Sequence, residues 1–372
     1  MFKAELKRAE TLAIVTEKMQ MYNNVIAELP TGYGKTLVGI QQVCRYVPPT
    51  GKFLFVVPEI PLIENAKKEF HKHGYSVLLD KGTFICYASL HLYKGHQFDL
   101  IIFDEVHHLV SEKRIDAAQQ IIAKKRIGLS ATIDDTTKEL LAQVANWTYY
   151  TKTLQEAIDD GVLAEPKIVY IDVKLDNTVK RNKYKYRNKE FLLTDKEYYD
   201  ELSATITYWR QIFEDLGTPY SKNMMLSAGS KRKSFLADCK EEAAKKLIEE
   251  LGDNRFICFC GSVAQAKRLG KKNVCSSHSK KNDNLELIER FNRGEINSLF
   301  AKDMLKEGVN LVNTHYGILI QPGSKEKEFV QMLGRTLRSA SPTFYIIRAL
   351  DTVDERFIRT QTRQLNNQSF SN

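Results

Sequence analysis

The sequence predicts an α/β protein with two parallel-sheet domains in tandem, the second carrying a mainly helical, basic insertion. Three observations carry this expectation. Short apolar runs alternate with segments of helix length, the pattern of a parallel sheet covered by helices. The alternation fills residues 1–160 and begins afresh after Pro166. The chain has 372 residues, too many for one ordinary domain but suited to two of roughly 150 to 200.

In the first domain, residues 1–160, the runs VIAEL (25–29), KFLFVVP (52–58), TFICYASL (83–90), DLIIFDE (99–105) and KRIGLSAT (125–132) read as buried strands. The boundary falls in TLQEAIDDGVLAEP (153–166), where a helix ends at Gly161 and Pro166 restarts the chain. The second domain, residues 161–372, offers PKIVYIDV (166–173), RFICFCG (255–261), SLFAKDM (298–304), YGILIQ (316–321) and TFYIIRAL (343–350). Residues 174–250 interrupt it. There KRNKYKYRNKE (180–190) is strongly basic with two tyrosines and reads as a loop or hairpin. DKEYYDELSATITYWRQIFEDL (195–216) reads as an amphipathic helix, and EEAAKKLIEELG as another stopped by Gly252.

Composition narrows the function classes. Hydrophobic residues make up 43% and charged residues 27%, an ordinary soluble balance. No apolar run reaches 18 residues, so no membrane span or membrane partner is expected. The first residues, MFKAELKRAETLAIV, mix charges into apolar positions and do not read as a signal peptide. Six cysteines stand at 44, 86, 239, 258, 260 and 275 with no Cys-x-x-Cys pair. They are expected as reduced, mostly buried thiols of a cytoplasmic protein. The net charge of +9 attracts polyanions, which makes nucleic acid a natural partner.

The chemistry concentrates in LPTGYGKT (29–36), set between the strand VIAEL and the helical stretch that follows. That context is what a phosphate-binding loop requires. Gly32 and Gly34 permit a close backbone approach, and the loop amides face phosphates at the helix N-terminus. Pro30, Thr31, Gly32, Tyr33 and Gly34 are expected to cradle a nucleotide. Lys35 is expected to reach its β and γ phosphates, and Thr36 to ligate Mg²⁺. Leu29 stands where the general pattern has its first glycine. Downstream, the apolar LIIF run delivers Asp104 and Glu105. Asp104 is expected to hold Mg²⁺, and Glu105 to polarise the water that attacks the γ-phosphate. His107 and His108 have no evident third metal ligand, and His107 is expected as a polar link to the neighbouring segment.

These residues, in order, resemble superfamily 2 helicases. LPTGYGKT, DEVH and SAT (130–132) are similar to motifs I, II and III, VVPEIPLIENAKKEF to motif Ia, and YASL (87–90) to motif Ib. RFICFCGSVAQAKRL resembles motif IV, with CSSHS (275–279) placed like the segment that follows it. KEGVNL (306–311) resembles motif V and QMLGRTLR (331–338) motif VI. The resemblance is strongest to the DExH group of restriction-enzyme motor subunits, XPB-like proteins and phage recombination helicases. The small size suggests a compact, phage-like member.

The resemblance implies two RecA-like domains with ATP between them and Mg²⁺ as cofactor. It implies that Arg335 and Arg338 act as arginine fingers, with Gln331 on the same helix face. Gly308 would sit near the nucleotide. Ser130, Ala131 and Thr132 would couple hydrolysis to domain movement. A strand would be gripped through its phosphates at Pro58, Tyr87, Ser89 and Ser262. Two positions depart from the family pattern. Glu10, in KRAE (7–10), stands roughly where an adenine-reading Gln is usual, and Asn310 stands where Asp is common in motif V. The function implied is an ATP-dependent nucleic-acid helicase or translocase, with DNA favoured over RNA. The alternatives are a DExH RNA helicase and a non-unwinding, nucleic-acid-stimulated ATPase serving a larger complex.

Overall fold

The computed structural model describes residues 2–186, 189–276, 281–302, 311, 314–323, 329, 332–334 and 342–362. The chain divides into two compact units, one ending at Ala164 and the other beginning at Glu165.

The first unit opens with α1 (Phe2–Met21) and β1 (Asn24–Glu28), then α2 (Lys35–Tyr46), β2 (Phe53–Val57), α3 (Pro61–Lys72) and β3 (Gly82–Cys86). β4 (Gln97–Asp104), α4 (Glu112–Gln120), β5 (Ile122–Ser130), α5 (Asp135–Ala142), β6 (Thr148–Thr151) and α6 (Leu154–Asp159) follow. Its sheet has the order β3-β2-β4-β5-β1-β6, with every neighbouring pair parallel. The central strands are apolar at almost every position because both faces are covered, and β2 is buried throughout. Helix α2 lies close on the sheet through Gly39, where a Cβ would come within 3.1 Å of Leu129 and 3.2 Å of Ile102.

The second unit begins with β7 (Lys167–Val173), and its sheet is completed by β10 (Phe256–Phe259), β11 (Val274–Ser276), β12 (Ser298–Lys302), β13 (Tyr316–Leu319) and β14 (Thr343–Ala349). The order is β11-β12-β10-β13-β14-β7, again all parallel. Between β7 and β10 the chain forms an antiparallel hairpin, β8 (Asn182–Tyr186) and β9 (Lys189–Leu193). Three helices follow it, α7 (Asp195–Leu216), α8 (Pro219–Cys239) and α9 (Glu241–Leu251). Helices α10 (Val263–Gly270), α11 (Lys281–Asn292) and α12 (Val353–Gln361) serve the sheet.

The structure departs from the sequence reading at the strand expected over 83–90. Residues 87–90 do not extend β3 but open a 3-10 turn over Tyr87–Tyr93. Tyr87 and Leu90 are the two buried positions in it, and a spacing of three aligns them on one side of such a turn. Among the described residues no helix is long and apolar enough to cross a membrane.

Candidate active site

The sheet order puts β5 between β1 and β4. Glu28 is level with Ser130, and Asp104 with Leu129, so the carboxyl ends of all three strands form one row. Ligands of open parallel sheets gather at such a row. The loop after β1 starts with a backbone bond from Leu29 N–H to the Ser130 carbonyl (2.8 Å) and turns at Pro30, whose carbonyl accepts from Tyr33 N–H (3.1 Å). Gly34 then takes φ +111°, and a Cβ there would meet nothing within 4 Å. No side chain caps the N-terminus of α2. Its leading amides therefore border open space, which fits the phosphates of a nucleotide.

Two charged groups face this loop. Lys35, 9% exposed, places Nζ 3.4 Å from Glu105 Oε1 and 3.5 Å from the Leu29 carbonyl. Glu105 Oε2 lies 3.4 Å from His107 Nδ1, and that nitrogen shares a 2.9 Å hydrogen bond with Ser130 Oγ. The result is a polar chain Lys35–Glu105–His107–Ser130 drawn from the start of α2, the turn after β4 and the end of β5. Glu105 itself has φ +50° and ψ +58°, a left-handed conformation that a side chain adopts only where its surroundings dictate it. Thr132 Oγ1 is buried with no hydrogen-bond partner among the described residues, and Ala131 is buried beside it.

The site has two buttresses: Tyr33, which the sequence reading placed in the nucleotide cradle, and Glu28, which it did not name. Tyr33, 1% exposed, turns away from the loop's open side. Its hydroxyl shares a 2.7 Å hydrogen bond with Thr11 Oγ1 and donates to the Lys7 carbonyl (3.3 Å), while Arg8 Nε donates to the Tyr33 carbonyl (3.2 Å). Helix α1 is thus bolted to the phosphate loop. Glu28, at the end of β1, accepts from Ile133 N–H (2.9 Å) and Thr151 Oγ1 (3.3 Å). Burial pushes its carboxyl pKa up, and these hydrogen bonds offset only part of the rise. No local pattern marks Glu28 or the anchoring of Tyr33 to α1, because each works through segments distant in the sequence.

Residues 6–87 and 83–135 match the family described as type III restriction enzyme, res subunit, and residues 239–340 match the helicase conserved C-terminal domain. The chain is 29% identical over 364 residues to a protein of Sulfurisphaera tokodaii named DNA 3'-5' translocase XPB2, covering 90% of this chain and 80% of the relative. It is 28% identical over 180 residues to an Escherichia coli type I restriction enzyme EcoAI endonuclease subunit, covering 41% of this chain and 22% of the relative. The chain belongs to superfamily 2 of the helicases. Within them it resembles the XPB and restriction-motor group, and it is a nucleic-acid-dependent ATPase of the helicase class. The fold agrees. The structure of Saccharomyces cerevisiae Dbp5 bound to RNA and ADP BeF3 aligns with TM-score 0.62 at 12% identity, over 92% of this chain and 83% of the other. That likeness shows tandem RecA-like folds. Among other curated relatives of the helicase, the chain spans 22% to 60% of their length.

The remaining expected residues of the helicase fare differently. Tyr87 is corrected: its side chain is 1% exposed and its hydroxyl donates to the Asp104 carbonyl (3.0 Å), so it is not presented to a strand. Pro58 is half-buried just after β2, and Ser89 half-buried in the 3-10 turn that follows β3. Ser262 caps α10, its hydroxyl accepting from Gln265 N–H (3.1 Å). Glu10 projects from α1 into an exposed pair with Lys7 (2.7 Å). Thr36 is half-buried in the first turn of α2, and Asp104 half-buried at the end of β4. Gly308, Asn310, Gln331, Arg335 and Arg338 lie outside the described residues, as do positions 277–279 of CSSHS.

Proposed function

We propose that this helicase couples ATP hydrolysis to movement along DNA. The observation that carries the reading is the Lys35–Glu105–His107–Ser130 chain set against the open N-terminus of α2. In the roles we assign, the amides of residues 31–35 and the Lys35 ammonium bind the nucleotide phosphates. Glu105 takes the proton of the attacking water. His107 passes the state of Glu105 to Ser130 and so to the 130–132 segment, which starts next to the phosphate loop. Arg335 and Arg338 supply positive charge to the γ-phosphate, as the family resemblance implies.

Mg²⁺ fits the donors at hand. Thr36 and Asp104 offer one hydroxyl and one carboxylate, and Mg²⁺ is commonly held by few protein oxygens together with substrate phosphates. When bound it would neutralise phosphate charge. Among the described residues no cluster of three or more His, Cys, Asp or Glu stands ready to hold an ion alone.

DNA is favoured as the track by the names of the relatives, one a DNA 3'-5' translocase and another a DNA 3'-5' helicase. A relative named for RNA is 20% identical. The same names lead us to propose 3'-to-5' movement. The test is steady-state ATP hydrolysis with single-stranded DNA, duplex DNA, a four-way junction and single-stranded RNA. DNA should stimulate the wild type, and Glu105→Gln should lower the stimulated rate by at least about a hundredfold, the scale of a positioned general base. Binding of a fluorescent ATP analogue should survive in that variant. Stimulation by RNA alone would overturn the assigned track.

A further inference from the structure

The acid proposed to activate water is held by a residue outside its own loop. Glu105 is the first residue after β4 and takes left-handed torsions. The torsion φ of Glu105 and the carbonyl of Asp104 belong to neighbouring parts of one peptide plane. Whatever holds that carbonyl fixes the plane about whose N–Cα bond φ turns, and so restricts the directions in which the Glu105 side chain can leave the backbone. The Tyr87 hydroxyl fixes it, donating to the Asp104 oxygen at 3.0 Å.

The tyrosine is in turn immobilised from three sides. Its ring stacks on Phe103 at 6.3 Å and packs against His108 at 5.8 Å. The Arg114 guanidinium sits over it at 5.7 Å, while Arg114 Nη1 donates to the His108 carbonyl at 2.8 Å. His108 N–H closes the turn by donating to the Glu105 carbonyl at 3.0 Å. Both peptide planes next to Glu105 are therefore pinned, one by Tyr87 and one by the turn that Arg114 clamps. Tyr87 also begins the 3-10 turn that carries Ala88 on the surface and half-buried Ser89.

We infer that Tyr87 is a positioning residue that aims the Glu105 carboxylate and joins it to the surface turn 87–90. This rests on Glu105 being the general base. A strand bound at Ala88 and Ser89 shifts the turn, the hydroxyl moves with it, and the peptide that aims Glu105 follows. Engagement of nucleic acid is so converted into alignment of the base.

Tyr87→Phe keeps the ring and its packing and removes the hydroxyl alone. We would measure kcat and KM for ATP with the full chain and oligo(dT) single-stranded DNA as activator, in the wild type, Tyr87→Phe, Glu105→Gln and the double variant. Loss of one hydrogen bond of ordinary strength predicts a drop in DNA-stimulated kcat of about three- to tenfold. KM for ATP should stay within about twofold, because the phosphate loop is untouched. In the Glu105→Gln background the tyrosine change should add nothing, since the group it aims is already gone. Active protein is counted by nucleotide binding, so a partly unfolded variant cannot imitate the result. A Tyr87→Phe enzyme with wild-type kcat, or one that slows both backgrounds by the same factor, overturns the inference alone. A Glu105→Gln enzyme that hydrolyses at the wild-type rate overturns the base assignment and the inference with it.

Discussion

Glu28 is a buried carboxyl at the end of β1, and its pKa direction makes a pH prediction. Its folded pKa is raised, chiefly by burial. The sign follows from linkage: protonation favours the folded state over the unfolded one, so the stability contributed by Glu28 is complete below its unfolded pKa. It is lost as pH rises from the unfolded pKa through the raised folded pKa. Glu28→Gln removes this titration while keeping an acceptor for Ile133 N–H. The unfolding midpoint in urea, followed from acidic to neutral pH, should therefore fall more for the wild type than for the variant. Parallel pH profiles would show that Glu28 does not titrate in this way. The contrast with the loop is instructive about what the sequence discloses. Lys35, Asp104 and Glu105 are legible because their chemistry demands fixed spacing beside a strand end. Glu28, and the buttressing roles of Tyr33 and Tyr87, are not, since they depend on partners 22 to 123 residues away, or on a carbonyl that no residue type betrays.

At the level of elements, the central strands were readable because burial on both faces leaves continuous apolar runs such as FLFVV. Three kinds of element were not. β6 is the half-buried edge strand TYYT, with no apolar run to announce it. The β8–β9 hairpin is legible only as a loop or a hairpin, because β8, NKYKY, has no apolar run. Helix α8 buries only Ser221, Ala228, Leu236 and Ala237, so it shows no clear stripe, although Thr218 and Pro219 form a readable start signal. The junction of α8 and α9 carries a further prediction. Lys240 and Asp354 are both wholly buried, with Nζ and Oδ2 2.6 Å apart. Asp354 also accepts from Gln321 Nε2 (2.8 Å) and Ala349 N–H (3.1 Å), so the pair gathers α9, the end of β13, β14 and α12. Burial pulls the Lys240 pKa down against the pull of its partner. Lys240→Met strands a buried carboxylate and should cost about 3–5 kcal/mol, read from the denaturant midpoint. Replacing both, Lys240→Met with Asp354→Leu, should recover part of that loss. A single variant as stable as the wild type would mean that the pair does not secure the junction.

For the whole molecule the governing quantity is the excess of nine positive charges, and the question is which of them meet DNA. The hairpin is the best-defined candidate. Arg181 and Asn182 are tied to Asp195, at the start of α7, so the hairpin leaves the helix at a fixed angle. The Tyr184 ring meets Tyr198 of α7 at 6.4 Å, edge to face. Strand alternation then turns Lys183 and Lys185 to the opposite, outer face. Both are exposed, and Lys183 pairs loosely with Glu190 at 3.5 Å. If these two lysines meet phosphates, each releases a counterion on binding. For single-stranded DNA that contributes about 0.7 to the slope of log affinity against log salt concentration. Lys183→Ser with Lys185→Ser should therefore flatten the slope by about 1.4 units, at two contacts of that size. KM for ATP at saturating DNA should be unchanged, because the phosphate loop belongs to the other unit. A slope equal to the wild type's would show the hairpin lysines to be solvated and place the DNA-facing charge elsewhere on the chain. A changed KM at saturating DNA would instead tie the hairpin to the nucleotide site.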